Sequence, residues 1–265
     1  MVKIIKTRAK KIFTPTKIPG AKWVANQYVG CEHACKYCYA KFVCKWKKYG
    51  EWGRWVEVKE NASQLTRHFV KGKVYMSSLS DAYQPLEEKL LLTKNVLQSM
   101  DKRVELSILT KSDLVLRDIE LFKRFRTIEI GLTINGFDGR LKKDLEPFFP
   151  HHESRIYALK VLNEEKIPNY GFISPTIPGI VDVESLVEET KDFVDKYWIE
   201  FLNLRASGKD FRNWLIDNFP ESYSIMSDYE KLNAFVSGVI EGLKRLDVRV
   251  EGVVLHLKKW EIRRL

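Results

Sequence analysis

Cysteine is scarce in this chain, with four among 265 residues. A disulfide framework makes poor sense of so few, because the clustering described below always leaves one partner over. No signal peptide precedes them to suggest an oxidising compartment. Long apolar runs are also missing. No stretch approaches the ~20 consecutive apolar residues of a membrane span, so no membrane partner is expected and the cytoplasm is the expected location. Acidic residues are nearly absent from the first fifty positions, where Glu32 alone opposes twelve lysines and arginines, among them Lys3, Lys6, Arg8, Lys45, Lys47 and Lys48. The rest of the chain is close to neutral, so the net charge of +10 is concentrated at one end. No internal repeat, low-complexity tract or long linker interrupts the sequence.

What cysteine there is lies close together. Cys31, Cys35 and Cys38 fall within the run Gly30–Tyr39. Three thiolates from one loop suit a soft metal centre. Structural zinc is one alternative, but it commonly uses two Cys-x-x-Cys pairs. Here a Cys-x-x-x-Cys and an overlapping Cys-x-x-Cys have no second pair, and His33 sits awkwardly between them. An iron–sulfur cluster fits better. Four-iron clusters normally take four cysteines, so a set of three leaves one iron open to chemistry. Cys44, the remaining cysteine, is expected on the following helix as a structural residue facing Val43 and Trp46.

Beyond this loop, strand-like and helix-like segments alternate. Strands are expected at about Lys22–Tyr28, Lys73–Ser78, Val104–Thr110, Thr127–Ile134, Asn169–Thr176 and Trp198–Leu204. Helices are expected at Glu87–Met100, at Asp113–Phe125 with Ser112 as cap, and across Arg140–Lys166. Others run from Asp182 to about Tyr197 and over Asp228–Leu246, and an alternating segment spans Val248–Leu255. Such βα alternation predicts an α/β fold with a parallel sheet. Six units are too few for a full barrel, so a partial (β/α)6 TIM-like barrel is expected. It would occupy residues 21–206, behind a basic N-terminal extension (1–20) and before a C-terminal helical and strand extension (207–265) packed on the core. Polar clusters then fall at the carboxyl ends of successive strands: Cys31–Cys38, Ser77–Asp81, Thr110–Ser112, Thr133–Asn135 and Ser174–Thr176. Those ends are where parallel βα folds place their chemistry.

The spacing Cys31, Cys35, Tyr37, Cys38 resembles the signature of the radical S-adenosylmethionine (SAM) superfamily. Asn26-Gln-Tyr-Val-Gly-Cys31, Cys38-Tyr-Ala40, Ser80-Asp-Ala-Tyr-Gln-Pro85, Leu109-Thr-Lys-Ser112, Gly131-Leu-Thr-Ile134 and Ser174-Pro-Thr-Ile-Pro-Gly179 together look like its spore photoproduct lyase-related branch, over roughly residues 20–206. The resemblance implies a 4Fe–4S cluster on Cys31, Cys35 and Cys38, with SAM chelated to the open iron. Reductive cleavage would then give a 5′-deoxyadenosyl radical that abstracts hydrogen from the substrate. It also implies an external electron donor such as ferredoxin or flavodoxin. Lys111 matches the position that meets the SAM carboxylate, and Thr133 and Asn135 match contacts to its ribose or methionine moiety. Ser78 and Asp81 match the edge bordering its amino group, Arg155 a position near cofactor or substrate, and Ser174 a further cofactor contact.

Plainer readings stand beside these. Asp81 would only start a turn before Pro85, Arg155 would be a surface helix residue, and Thr133 a β-propensity choice. His151 and His152 would cap a helix. Trp46, Trp52 and Trp55 would stack on bases or simply pack. True spore photoproduct lyases carry a hydrogen-returning cysteine in the segment aligned with Ser77–Asp81, and this chain has none there. Cys44 or Tyr83 would be substitutes. The basic first fifty residues suit a nucleic-acid partner, since neutralised phosphates release counterions. They suit equally a solvated surface adapted to a hot or salty habitat. The competing functions are a nucleic-acid-binding protein with a structural metal, and a radical SAM enzyme acting on a peptide or small molecule.

Overall fold

A computed structural model of the protein describes residues 2–257 and 260–265. Its centre is a run of seven parallel strands, numbered here in chain order: β1 (Trp23–Ala25), β2 (Val74–Met76), β3 (Glu105–Thr110), β4 (Thr127–Ile134), β5 (Asn169–Thr176), β6 (Tyr197–Phe201) and β7 (Val250–His256). Each pairs with the next in sequence order. Antiparallel strands close the two edges, Phe13–Pro15 beside β1 and Trp260–Arg263 beside β7. This is the partial α/β barrel expected from the alternation, with one addition. The segment read only as alternating, Val248–Leu255, supplies a seventh parallel strand.

The sheet is buried on both faces. In β4 every residue from Ile130 to Ile134 is buried, as is all of β5 except Phe172. Burial at successive rather than alternate positions marks parallel strands sandwiched between helices and barrel interior. Close packing inside depends on two glycines. A Cβ at Gly131 would stand 2.2 Å from the ring of Tyr170, and one at Gly171 2.9 Å from that of Tyr197.

Several helices differ from the sequence reading, each for a visible reason. The single helix expected over Glu87–Met100 is two, Pro85–Leu90 and Leu92–Ser99, broken where Leu91 takes φ 52°. The buried Glu87 carboxylate reaches past the break and accepts the amides of Thr93 (2.8 Å) and Lys94 (3.2 Å), capping the second helix from the first. The helix expected over Asp113–Phe125 is a 3₁₀ turn, Asp113–Asp118, followed by Ile119–Phe122. Ser112 does cap it, its hydroxyl accepting the Leu114 amide. The helical segments expected across Arg140–Lys166 are Gly139–Leu145 and His152–Glu164, separated by the stretch that holds Pro147 and Pro150. The helix opened by Asp182 stops at Thr190 rather than near Tyr197.

The expected first strand, Lys22–Tyr28, is also interrupted. After β1 the chain crosses to a second, three-stranded sheet, where Tyr28–Val29 pairs with Trp55–Lys59 and that strand pairs with Lys3–Thr7. The N-terminal twenty residues thus place one strand in each sheet. Among the described residues no helix is long and apolar enough to cross a membrane.

Candidate active site

The detour through the small sheet delivers the cysteine loop. Gly30, at φ +88°, turns the chain where a Cβ would lie 2.6 Å from the Trp55 carbonyl oxygen, so only glycine fits. Two tight turns follow, Ala34 N–H to the Cys31 carbonyl and Cys38 N–H to the Cys35 carbonyl, both at 3.3 Å. Ala34 adopts φ 56° between them. Cys31 and Cys35 end up buried and Cys38 half-buried, all as free thiols.

Backbone amides point at two of these sulfurs: those of His33 and Asp81 at Cys31, and that of Ala40 at Cys38. Cys35 and Cys38 are close neighbours. This contact, more than the nearby Lys111 and Lys41, lowers the Cys38 pKa, while the same contact and burial raise that of Cys35. Burial, then the Asp81 carboxylate, pushes Cys31 up.

The polar ends of β2 and β3 are tied together by Asp81. Its Oδ1 accepts Thr110 Oγ1 (2.6 Å) and the Tyr83 amide (2.8 Å), and its Oδ2 accepts the Lys111 amide (2.9 Å). Asp81 therefore forms the turn of the plainer reading and also holds Lys111 in place. Burial nonetheless raises its pKa. The Lys111 ammonium is half-buried over the rings of Tyr37 (5.9 Å) and Phe149 (5.8 Å). Among the described residues it has no carboxylate partner within ion-pair distance. Ser78 is fixed by Asn26, whose Oδ1 accepts its amide at 2.7 Å. His33 is buried against Phe149, ring centroids 3.7 Å apart, and 3.6 Å from Asp81. Burial, with Arg155 and Lys111 nearby, lowers its pKa well below the ordinary imidazole value.

Asn135 and Arg155 converge on a residue the sequence reading missed, and Arg155 ties in the backbone of Thr133. Glu146, fully buried, accepts Tyr37 Oη, Asn135 Nδ2 (2.8 Å) and Arg155 Nη2. Arg155 also donates to the Thr133 carbonyl at 3.3 Å. Only 2% exposed, Arg155 is no surface residue. Burial would raise the Glu146 pKa, but Arg155 and Lys111 outweigh it and hold the carboxylate below its usual range. Its one sequence signal was an acid inside the apolar run Leu145–Phe149.

Ser174 touches this network through its carbonyl oxygen, which accepts Asn135 Nδ2 at 3.4 Å. Its hydroxyl donates to Glu200 Oε2 (3.0 Å), and Glu200 Oε1 lies 2.9 Å from His256 Nε2. Glu200 and His256 come from β6 and β7 and also went unread. His256 borders an open cleft of about 960 Å³ lined by Phe201, Leu204, Arg205, Met226 and Trp260.

Other expectations are corrected. Trp46 is 73% exposed while Trp55 is fully buried, so the tryptophans form no common stacking surface. Cys44 packs with Val29, Val43 and Trp55, and not with Trp46. The Tyr83 hydroxyl donates to Asp118 in the Arg117–Glu87 network. His151 occupies a helix N-cap position without a capping bond, and His152 contacts Glu189 at 3.0 Å.

The sequence profile of the Radical SAM superfamily matches residues 26–194, from the Asn26 clamp through β5. The chain belongs to the radical SAM superfamily. An uncharacterized protein of Methanocaldococcus jannaschii is 56% identical over 96% of this chain and 98% of its own length. Spore photoproduct lyase complexed with dinucleoside spore photoproduct shares the fold, with TM-score 0.66 at 12% identity over 94% of this chain and 82% of that one. Streptococcus suis SuiB bound to the precursor peptide SuiA does so at TM-score 0.53 and 15% identity, over 86% and 48%.

Radical SAM proteins are enzymes that use a 4Fe–4S cluster and SAM and need a reductant. The residues of this loop fit that pair. Amide hydrogen bonds favour anionic sulfur, and the unpaired ammonium of Lys111 suits a carboxylate. Among the described residues no three His, Cys, Asp or Glu side chains meet at one point, as a single zinc ion would ask.

Proposed function

We propose that Cys31, Cys35 and Cys38 hold the 4Fe–4S cluster and that the neighbouring rim binds SAM for hydrogen abstraction from a nucleic-acid substrate. The reading rests above all on one juxtaposition: three buried or half-buried thiols beside a half-buried ammonium, Lys111, that among the described residues has no carboxylate within ion-pair distance. The bound pair supplies the chemistry, a one-electron reductive cleavage that yields methionine and a 5′-deoxyadenosyl radical. The chain supplies position and dryness. Lys111 takes the SAM carboxylate, held in place by Asp81 through its backbone amide. Ser78, fixed by Asn26, borders the amino group. Thr133 and Asn135 line the ribose and methionine side, with Arg155 and Glu146 bracing them from behind. Ser174, braced by Glu200, forms the far wall.

The substrate class is supported by the basic first fifty residues and by the fold shared with spore photoproduct lyase. Hydrogen return by a cysteine of segment 77–81 is not part of the proposal, since that segment has none. We place the reaction in the reducing cytoplasm, with ferredoxin or flavodoxin as donor.

Anaerobic reconstitution tests the reading. About four irons per chain and reductant-dependent formation of 5′-deoxyadenosine are expected. A Cys35→Ala variant should do neither, and one that still cleaved SAM would overturn the assignment.

A further inference from the structure

Immediately after Cys38 the chain forms a 3₁₀ turn, Tyr39–Val43, that runs into a short helix, Cys44–Lys47. Its inner side is ordinary core, with Ala40 and Val43 buried. Its outer side is not. Tyr39 is 50% exposed, Phe42 38% and Trp46 73%. Three exposed aromatics within eight residues form an apolar face that packing within this chain leaves uncovered. The lysines here answer it. Lys45 and Lys48 are exposed and, among the described residues, pair with no carboxylate, whereas Lys47 is drawn to Glu57 at 2.5 Å.

We propose that this face binds a single-stranded nucleic acid and leads it to the site beside Cys38. The inference rests on the nucleic-acid reading above and gives it a place and a strand state. Aromatic rings interleaved with unpaired cations are the combination that holds an unpaired strand: bases stack on the rings while the cations follow the phosphates. The geometry favours single over double strand. At ~2.0 Å per residue in the 3₁₀ turn and ~1.5 Å in the helix, Tyr39 to Phe42 and Phe42 to Trp46 are each steps of roughly 6 Å. That is nearly twice the ~3.4 Å repeat of a stacked strand. The rings of Phe42 and Trp46 also stand edge to face, 68° apart with centroids 5.3 Å from each other. No continuous base stack can lie parallel to both, whereas bases that turn separately can. At its inner end the face joins the site, for the Tyr39 hydroxyl donates to the Ser78 carbonyl at 2.6 Å.

The test is anisotropy of labelled oligothymidine and of a duplex of equal length, on the anaerobically reconstituted holoenzyme. The single strand should bind the more tightly. Trp46→Ala and Phe42→Ala should each weaken it by about 5- to 150-fold, with Trp46→Phe restoring most of the loss. Lys45→Gln with Lys48→Gln should flatten the salt slope by roughly 1.4 in log–log terms. Dithionite-driven SAM cleavage should be unchanged in all of these variants. Wild-type protein that ignores both oligonucleotides would sink the nucleic-acid reading itself. Tight, salt-dependent binding unaffected by Trp46→Ala and Phe42→Ala would sink only the location. Unchanged oligonucleotide affinity with slower flavodoxin-driven cleavage would overturn the proposal in favour of a docking face for the electron donor.

Discussion

The guanidinium of Arg155 and the carboxylate of Glu146 form an ion pair closed to water on both sides, Arg155 keeping 2% of its exposure and Glu146 none. Removing one member of such a pair strands the other charge in a low-dielectric interior. Arg155→Met should therefore destabilise the fold by about 3–5 kcal/mol, read as a lower midpoint in chemical denaturation. A midpoint within error of wild type would mean that water reaches Glu146.

Lys111 allows a measurement that separates binding from folding. Among the described residues its ammonium has no carboxylate within ion-pair distance, so Lys111→Met should lower the denaturation midpoint far less than Arg155→Met, which breaks the direct pair with Glu146. The Kd for SAM should rise by roughly 10- to 150-fold, the usual contribution of a hydrogen bond to a charged group. Equilibrium dialysis on the reconstituted protein checks it, and an unchanged Kd would remove Lys111 from the SAM site.

Gly131 faces Tyr170 across β4 and β5. Because a Cβ there would lie 2.2 Å from the Tyr170 ring, Gly131→Ala should cost about 1–3 kcal/mol through overpacking. Tyr170 also sits 3.4 Å from Ser107 Oγ, so its displacement should disturb β3 as well. Calorimetry of the two proteins would show this.

Glu129 carries the clearest pH dependence. Burial would raise its pKa, but Lys196 at 2.7 Å and Lys73 at 3.0 Å outweigh that and lower it. A carboxyl with a depressed folded-state pKa stabilises fully above its unfolded value, about 4.3. That contribution is lost as pH falls through the folded value. Glu129→Gln should therefore lower stability at neutral pH and make the acid limb of the stability–pH curve shallower. Parallel curves for the two proteins would refute it.

Cys44 separates the cluster ligands from the bystander. Packed with Val29, Val43 and Trp55, it should be replaceable by alanine with iron content and SAM cleavage intact, whereas Cys38→Ala should lose both.

The sequence made some elements legible and hid others for physical reasons. Thr127–Ile134 and Asn169–Thr176 match β4 and β5 to the residue, because each joins β-branched and aromatic residues to a clear stop, Asn135-Gly136 after the first and Pro178-Gly179 soon after the second. The break at Leu91 was hidden because it depends on where the Glu87 side chain reaches, not on local propensity. Cys31, Cys35 and Cys38 were singled out by spacing alone, and the fold gathers them in one loop as free thiols. Glu146 and Glu200 could not, since each gains its role from partners far along the chain: Tyr37 lies 109 residues from Glu146, and His256 lies 56 from Glu200. Exposure was equally unreadable, which is why Trp46 and Trp55 were grouped although one faces solvent and the other the core.

Strand β7 is drawn from residues 250–256, yet it lies directly against β6 and carries the histidine that braces Glu200. A nascent chain emerging amino end first would thus display its cysteine loop long before the opposite wall exists. Metal loading during synthesis would meet a half-built chamber, and shielding of the radical chemistry would wait for residues 250–256 to arrive.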